Sequence, residues 1–499
     1  WFKVEFLIIR IMKKYNILFI AFIIVLFCSC NDFLDNNPEG EYEKESLDYS
    51  KIENMFNPVS GVYATARSYN GFGRWALYGL IAVRSADIEK GGSPTDQAEY
   101  TDCKNFEYSK IDNFWGLNYS WEGLYYLVQV CNSSLEMLGQ YAKHTTTDAD
   151  KKLNLQYQAE VRFIRAYAYF YLVRLWGEIP IIRDNTDILN TEKVSKVPVA
   201  EVYKFIDEEL DFCVNNMPAL RPNEMPYKGQ ATQYSAWALR AKVNADINDW
   251  DKVLIATNKI YDSQKFTLFD DFYQYFKKPG MLADETFFEL QYSDANSADI
   301  IASDSWFEFQ GPKSITGVND MKSGWGFMVP TQYIIDLFTR RGETVRAETS
   351  FLYTGKATPE GDVVNNSSVG EPTVYNGKAY LPSTQLTPGR IDYGSGNNIR
   401  MLRYGDILLL NAEAKVRSGQ SGDTPFNLVR KRAKMPELTN VTLEQILEER
   451  EVELCGEWGE SYFDLLRTGK AADVLPNFVK GKSEYYPIPL PQKDMNPNL

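Results

Sequence analysis

The acidic motifs near the end of the chain are the first place where chemistry could reside. Glu449, Arg450 and Glu453 fall within little more than one helical turn, and Asp464 and Arg467 stand at i, i+3 spacing. Two carboxyl groups about 5–10 Å apart across a cleft can act as acid and base on a glycosidic bond. Here each acid has an arginine beside it in a regular helical pattern. The expected role is therefore an ion pair that fixes helix packing. The single histidine, His144, sits in the polar run Lys143 to Asp148, which reads as an exposed loop between helices. One loop histidine supports neither a Ser-His-Asp triad nor a zinc site built on several histidines. The chain also lacks the G-x-x-x-x-G-K-[ST] pattern of a phosphate-binding loop. No catalytic residue, metal site or cofactor is expected.

Aromatic side chains offer a different chemistry. The 499 residues include 32 Tyr, 28 Phe and 10 Trp, and most of these rings must pack the core. Those in loop-like context can instead stack on flat partners such as sugar faces. Trp75 and Tyr78 follow the glycine-rich approach Asn70-Gly71-Phe72-Gly73-Arg74. Tyr292 follows the strand-like Thr286–Leu290, while Trp306 and Trp325 lie in an irregular stretch, Trp325 between two glycines. These five rings are the candidate ligand platforms. Arg74, Asp87 and Asp304 are the candidate hydrogen-bonding partners for hydroxyl groups.

The formal charge of −14, with no clustered basic run, argues against nucleic acid and against a polybasic grip on anionic lipid. Membrane attachment is suggested instead by the start of the sequence. Lys13 and Lys14 precede an apolar run, Ile17 to Phe27, followed by Cys28-Ser29-Cys30 and a change to polar residues. Those are the parts of a secretory signal, and the run falls short of the about 20 apolar residues a membrane span needs. Small Ser29 before Cys30 suits cleavage and lipidation at Cys30. Residues 1–29 are thus expected to be upstream sequence and signal, with translation starting at Met12, and 30–45 a lipidated tether. The remaining cysteines, Cys103, Cys131, Cys213 and Cys455, match no compact disulfide or zinc spacing and read as buried thiols.

These candidates must be held by a mainly helical frame. Val161, Ile164, Ala168, Leu172 and Leu175 mark an apolar stripe over 159–176, ended by Gly177 and Pro180. Trp121, Leu124, Tyr125, Val128 and Leu135 mark another. Ala236, Ala238, Ala241 and Ala245, the turn Asn248-Asp249-Trp250, and a second helix with Val253, Ala256 and Ile260 resemble a tetratricopeptide pair. Arg403 to Val416 predicts a further helix, and Thr442-Leu443-Glu444-Gln445 has capping-box spacing. Residues 266–398, rich in Gly, Ser, Asp and aromatics, predict long ordered loops laid over the scaffold.

Several motifs then carry a family resemblance. Cys30-Asn31-Asp32-Phe33-Leu34-Asp35, Ala159 to Tyr167 through Trp176-Gly177-Glu178-Ile179-Pro180, and Arg403-Tyr404-Gly405-Asp406 with Asn411-Ala412-Glu413-Ala414 appear in order. Glu449 to Leu454, Phe463-Asp464-Leu465-Leu466-Arg467 and Tyr486-Pro487-Ile488-Pro489 follow. Together they resemble the SusD/RagB family of surface nutrient-binding lipoproteins. One departure is Ser461, where the family carries an arginine. The resemblance implies a mainly α fold of tetratricopeptide-like helix pairs with irregular loops and a few short strands on top, one domain over 46–499. It implies a lipid anchor in the outer membrane facing the medium, and capture of oligo- or polysaccharides without catalysis. The captured ligand would pass to a SusC-like, TonB-dependent barrel. Peptide capture, as in the RagB branch, a surface glycoside hydrolase and a protein-binding scaffold are the rival readings.

Overall fold

A computed structural model describes residues 47–186, 194–293, 304–317, 324–365, 373–386 and 396–499. The signal segment and Cys30 lie outside the described residues. The spine is helix α4 (Asp148–Trp176), which follows α1 (Asn57–Arg67), α2 (Trp75–Ala82) and α3 (Trp115–Ala142). Thr147 caps α4 by accepting from Asp150 N at 3.1 Å, and Gly177, at φ 72°, ends it. From Ala159 to Trp176 every side chain but Arg162 is buried, as in a helix enclosed on all faces. The helix begins 11 residues earlier than its apolar stripe indicates, because its first turns are polar and face water. His144 sits exposed in the turn between α3 and α4.

Antiparallel neighbours continue through α5 (Val199–Asn216), α6 (Gln233–Asp246) and α7 (Trp250–Tyr261). Arg162 and Arg165 of α4 reach Glu209 of α5 at 2.7 and 2.8 Å. The alanines of α6 let α7 approach closely, and Asn248 makes the turn at φ 59°.

Inside 266–398 the chain is more regular than long loops. It forms α8 (Asp304–Gln310), α9 (Gln332–Arg341) and α10 (Val345–Ser350). Thr331 caps α9, and Gly342 closes it in the left-handed conformation, so its ends carry ordinary start and stop residues. Short antiparallel pairs pin this insert: β1 (Ile88–Gly91) with β4 (Phe327–Pro330), and β2 (Thr286–Leu290) with β8 (Ile399–Arg403). Within the insert, β3 (Ile315–Thr316) pairs with β6 (Val363–Val364), and β5 (Phe351–Tyr353) with β7 (Val374–Asn376).

The scaffold resumes with α11 (Tyr404–Arg417), α12 (Asp423–Arg432), α13 (Leu443–Leu454) and α14 (Glu460–Arg467). The capping box at Thr442 and Gln445 is formed in both directions, at 3.3 and 3.0 Å. Helix α13 carries the acidic motif into a buried lattice. Glu449 accepts from Arg346 at 2.7 Å and from Arg430 at 2.8 Å, while Arg450 donates to Asp406 at 2.7 Å and Asp464 at 2.8 Å. Arg467 holds Asp464 at 2.9 Å and Glu413 at 2.6 Å. These carboxylates are structural cross-links between helices. The four described cysteines are buried free thiols, and burial pushes Cys103 and Cys131 up to about 12.

Candidate functional site

Three indoles from distant parts of the chain meet at one place. Trp75 begins α2, Trp115 begins α3, and Trp325 stands just before β4. The Trp75 ring lies 5.1 Å from Trp115 at 67° and 5.2 Å from Trp325 at 89°. Phe309 of α8 backs it at 4.7 Å. Edge-to-face contacts at this range are favourable in themselves, and all three indoles remain half-buried.

Local backbone geometry fixes each ring. Trp325 N donates to Glu308 O at 2.7 Å, and Gly326 N donates to Gly311 O at 2.8 Å, so α8 sets the approach. Gly92 N then donates to Gly326 O at 2.7 Å, while a Cβ on Gly91 would stand 2.4 Å from that oxygen. Gly91 and Gly326, at φ 64° and 71°, hold a left-handed backbone that strains a side chain, and at Gly91 a side chain would also break this close approach. The Trp115 indole N–H donates to Gln97 Oε1 at 3.0 Å, which sets the ring's rotation.

Arg74 and exposed Tyr119 extend this wall. The guanidinium lies 5.2 Å from the Tyr119 ring centre and donates to Tyr69 O and, at 3.4 Å, to Asn70 Oδ1. Burial lowers its pKa from the usual range, with Glu122 acting in the other direction.

The remaining candidates fall elsewhere. Tyr78 is at 0% exposure, packs on Trp306 and Trp458, and donates to Gly456 O at 3.2 Å. Trp306 is buried beside it. Both pack the core rather than present a face, because α2 and α8 turn these positions inward. Asp87 is buried too, accepting from Gly456 N at 2.9 Å and Ser461 Oγ at 2.6 Å, and so joins two backbone segments. Tyr292 is half-buried with its hydroxyl on Arg67 O at 2.8 Å. Asp304 begins α8, and its side chain lies outside what the structure describes.

Of the candidates, then, Trp75, Trp325 and Arg74 come together. Trp115, Phe309, Tyr119 and Gln97 join them without having been singled out. For Trp115 and Tyr119 the available signal was their i, i+4 spacing on the side of α3 away from its apolar stripe. The wall can stack on apolar C–H faces. Among the described residues, no cluster of three or more His, Cys, Asp or Glu is placed to hold a metal ion.

A family model described as starch-binding, associating with the outer membrane, matches residues 32–244, and one described as the SusD family matches 389–489. The chain belongs to the SusD family. Among SusD relatives, a SusD-like protein of Bacteroides ovatus is 25% identical over 487 residues, covering 91% of this chain and 82% of its own. The SusD fold recurs in a laminarin-binding SusD-like protein with TM-score 0.75 and 24% identity, covering 89% of this chain and 97% of that one. It recurs also in surface glycan-binding protein A from Bacteroides thetaiotaomicron in complex with laminarihexaose, with TM-score 0.73, 24% identity and the same coverage.

Proposed function

We propose that this chain captures oligosaccharides at the Trp75–Trp115–Trp325 wall and delivers them to a SusC-like, TonB-dependent barrel without chemical change. The observation that carries the reading is the convergence of three partly exposed indoles from separate chain segments, with Arg74 and Tyr119 at their edge. A pyranose stacks on indole through its C–H face, and three half-buried indoles leave part of their surface available for that contact. Relatives described as laminarin-binding and glycan-binding support a saccharide ligand. The signal-like leader and Cys30 support a lipid anchor in the outer membrane, with 30–45 as tether and 46–499 as one domain. Confinement beside the barrel would raise the effective concentration of captured ligand.

The test is calorimetry or affinity electrophoresis of the purified protein against a panel of polysaccharides and, separately, peptides. One glycan class should bind, and Trp325→Ala or Trp115→Ala should weaken it by about tenfold or more. Glycan binding indifferent to both substitutions would remove the site, and binding of peptides alone would replace the ligand class.

A further inference from the structure

Beyond Tyr119 the wall opens into a cleft of about 630 Å³ along α3. On this face Trp115, Tyr119, Glu122, Tyr126 and Gln129 follow one another at i, i+4, i+7, i+11 and i+14. The last four are exposed, with Tyr119 at 50% and Tyr126 at 47%. Tyr119 and Tyr126 thus place two aromatic rings on the solvent side of α3, and both line the cleft. Seven residues of helix separate the two rings by roughly 10 Å, a distance comparable to two linked pyranose units. Asn70, Met495 and Asn496 contribute to the rest of the lining.

The charges of the cleft are already engaged. Arg74 holds Tyr69 O and Asn70 and lies over Tyr119, while Glu122 accepts from Asn118 at 2.9 Å and from Gln492 at 3.1 Å. The remaining lining is largely aromatic, amide and aliphatic, which suits a neutral, hydroxyl-rich chain better than an acidic or basic one.

We infer that the cleft is a second stretch of the same binding site, so that the ligand is a neutral oligosaccharide of several units lying along α3 from Trp115 to Gln129. This rests on the proposed function and adds a length requirement to it. Short ligands occupy the wall alone, and only longer ones reach Tyr126.

The experiment measures affinity against a size-fractionated hydrolysate of whichever polysaccharide binds in the panel. Trp325→Ala should weaken every length. Tyr126→Ala should weaken only the longer fractions, by about fivefold, Tyr126→Phe should behave as the parent, and Gln129→Ala should show the same length dependence in weaker form. Thermal melts confirm that each variant is folded. If Tyr126→Ala and Gln129→Ala are silent at all lengths while Trp325→Ala is not, the extension falls and the wall stands. If no glycan binds, both readings fall.

Discussion

Glu453 Oε1 accepts a hydrogen bond from Arg403 at 2.6 Å where β8 runs into the scaffold, with both side chains buried. Arg432 and Arg346 converge on the same carboxylate. Burial alone would raise the Glu453 carboxyl, but the three guanidiniums overcome it and take it down to about 2. Deleting it leaves cations buried without their partner, so Glu453→Ala should cost about 3–5 kcal/mol. Urea denaturation at neutral pH checks this. Because the folded pKa is lowered, the contribution is present above the ordinary carboxyl value of 4.5 and is lost as pH falls through about 2. A near-neutral Glu453→Ala would mean that the lattice is redundant.

Gln97 holds Trp115 from outside the wall. Gln97→Ala leaves the indole N–H without its acceptor, a loss of about 1 kcal/mol, and frees the ring to rotate. A modest fall in ligand affinity with only a slight drop in melting temperature is expected. Gln97→Glu keeps an acceptor and should retain the parent affinity, which separates ring positioning from general damage.

Glu160 supplies a pH response. It is at 0% exposure and accepts from Tyr63 at 2.8 Å, Gln156 at 3.0 Å and Gln230 at 3.1 Å, all neutral donors. Burial raises its carboxyl to about 7, with those donors pulling the other way. A raised folded pKa gives stability that is complete below 4.5 and is lost as pH rises through about 7. The full swing is about 3 kcal/mol. Glu160→Gln should flatten the denaturation midpoint across that window, and an unchanged slope would reject the assignment.

Ser461 borders a cavity of about 180 Å³ that is also lined by Glu451, Asp464 and Tyr333. Burial first, and Asp87 next, raise the Glu451 carboxyl to about 8. Ser461→Arg would give up the hydroxyl's bond to Asp87 but fill this space and bring a cation to those acids, for a net gain of about 0.5–2 kcal/mol. The raised carboxyl costs stability as pH rises through about 8, so the gain should be larger on the alkaline side. Melting curves on both sides of that pH decide it.

Much of the scaffold was legible in the sequence because its signals are local. The Thr442 capping box, the apolar stripe of α4, the Asn248 turn and the strand at Thr286–Leu290 depend on near neighbours. The acids of α13 read as packing residues because each had an arginine close by in sequence. Helix α9 was legible from Thr331 and Gly342, but the surrounding glycines and aromatics obscured it. The wall was legible only in part, since Trp115 and Trp325 are joined through Trp75, contacts between distant segments with no sequence-local trace. Tyr78, Trp306 and Asp87 share the loop-like neighbourhood of true surface residues, and only packing separates them.

The wall is built from two parts of the molecule: Trp75 and Trp115 belong to the scaffold, while Trp325 arrives with the insert. A sugar resting on all three, as proposed, would span the joint like a staple, and a ligand that binds only the assembled form stabilises it by mass action. With the proposed ligand bound, the insert would then be cut by proteases more slowly than without it.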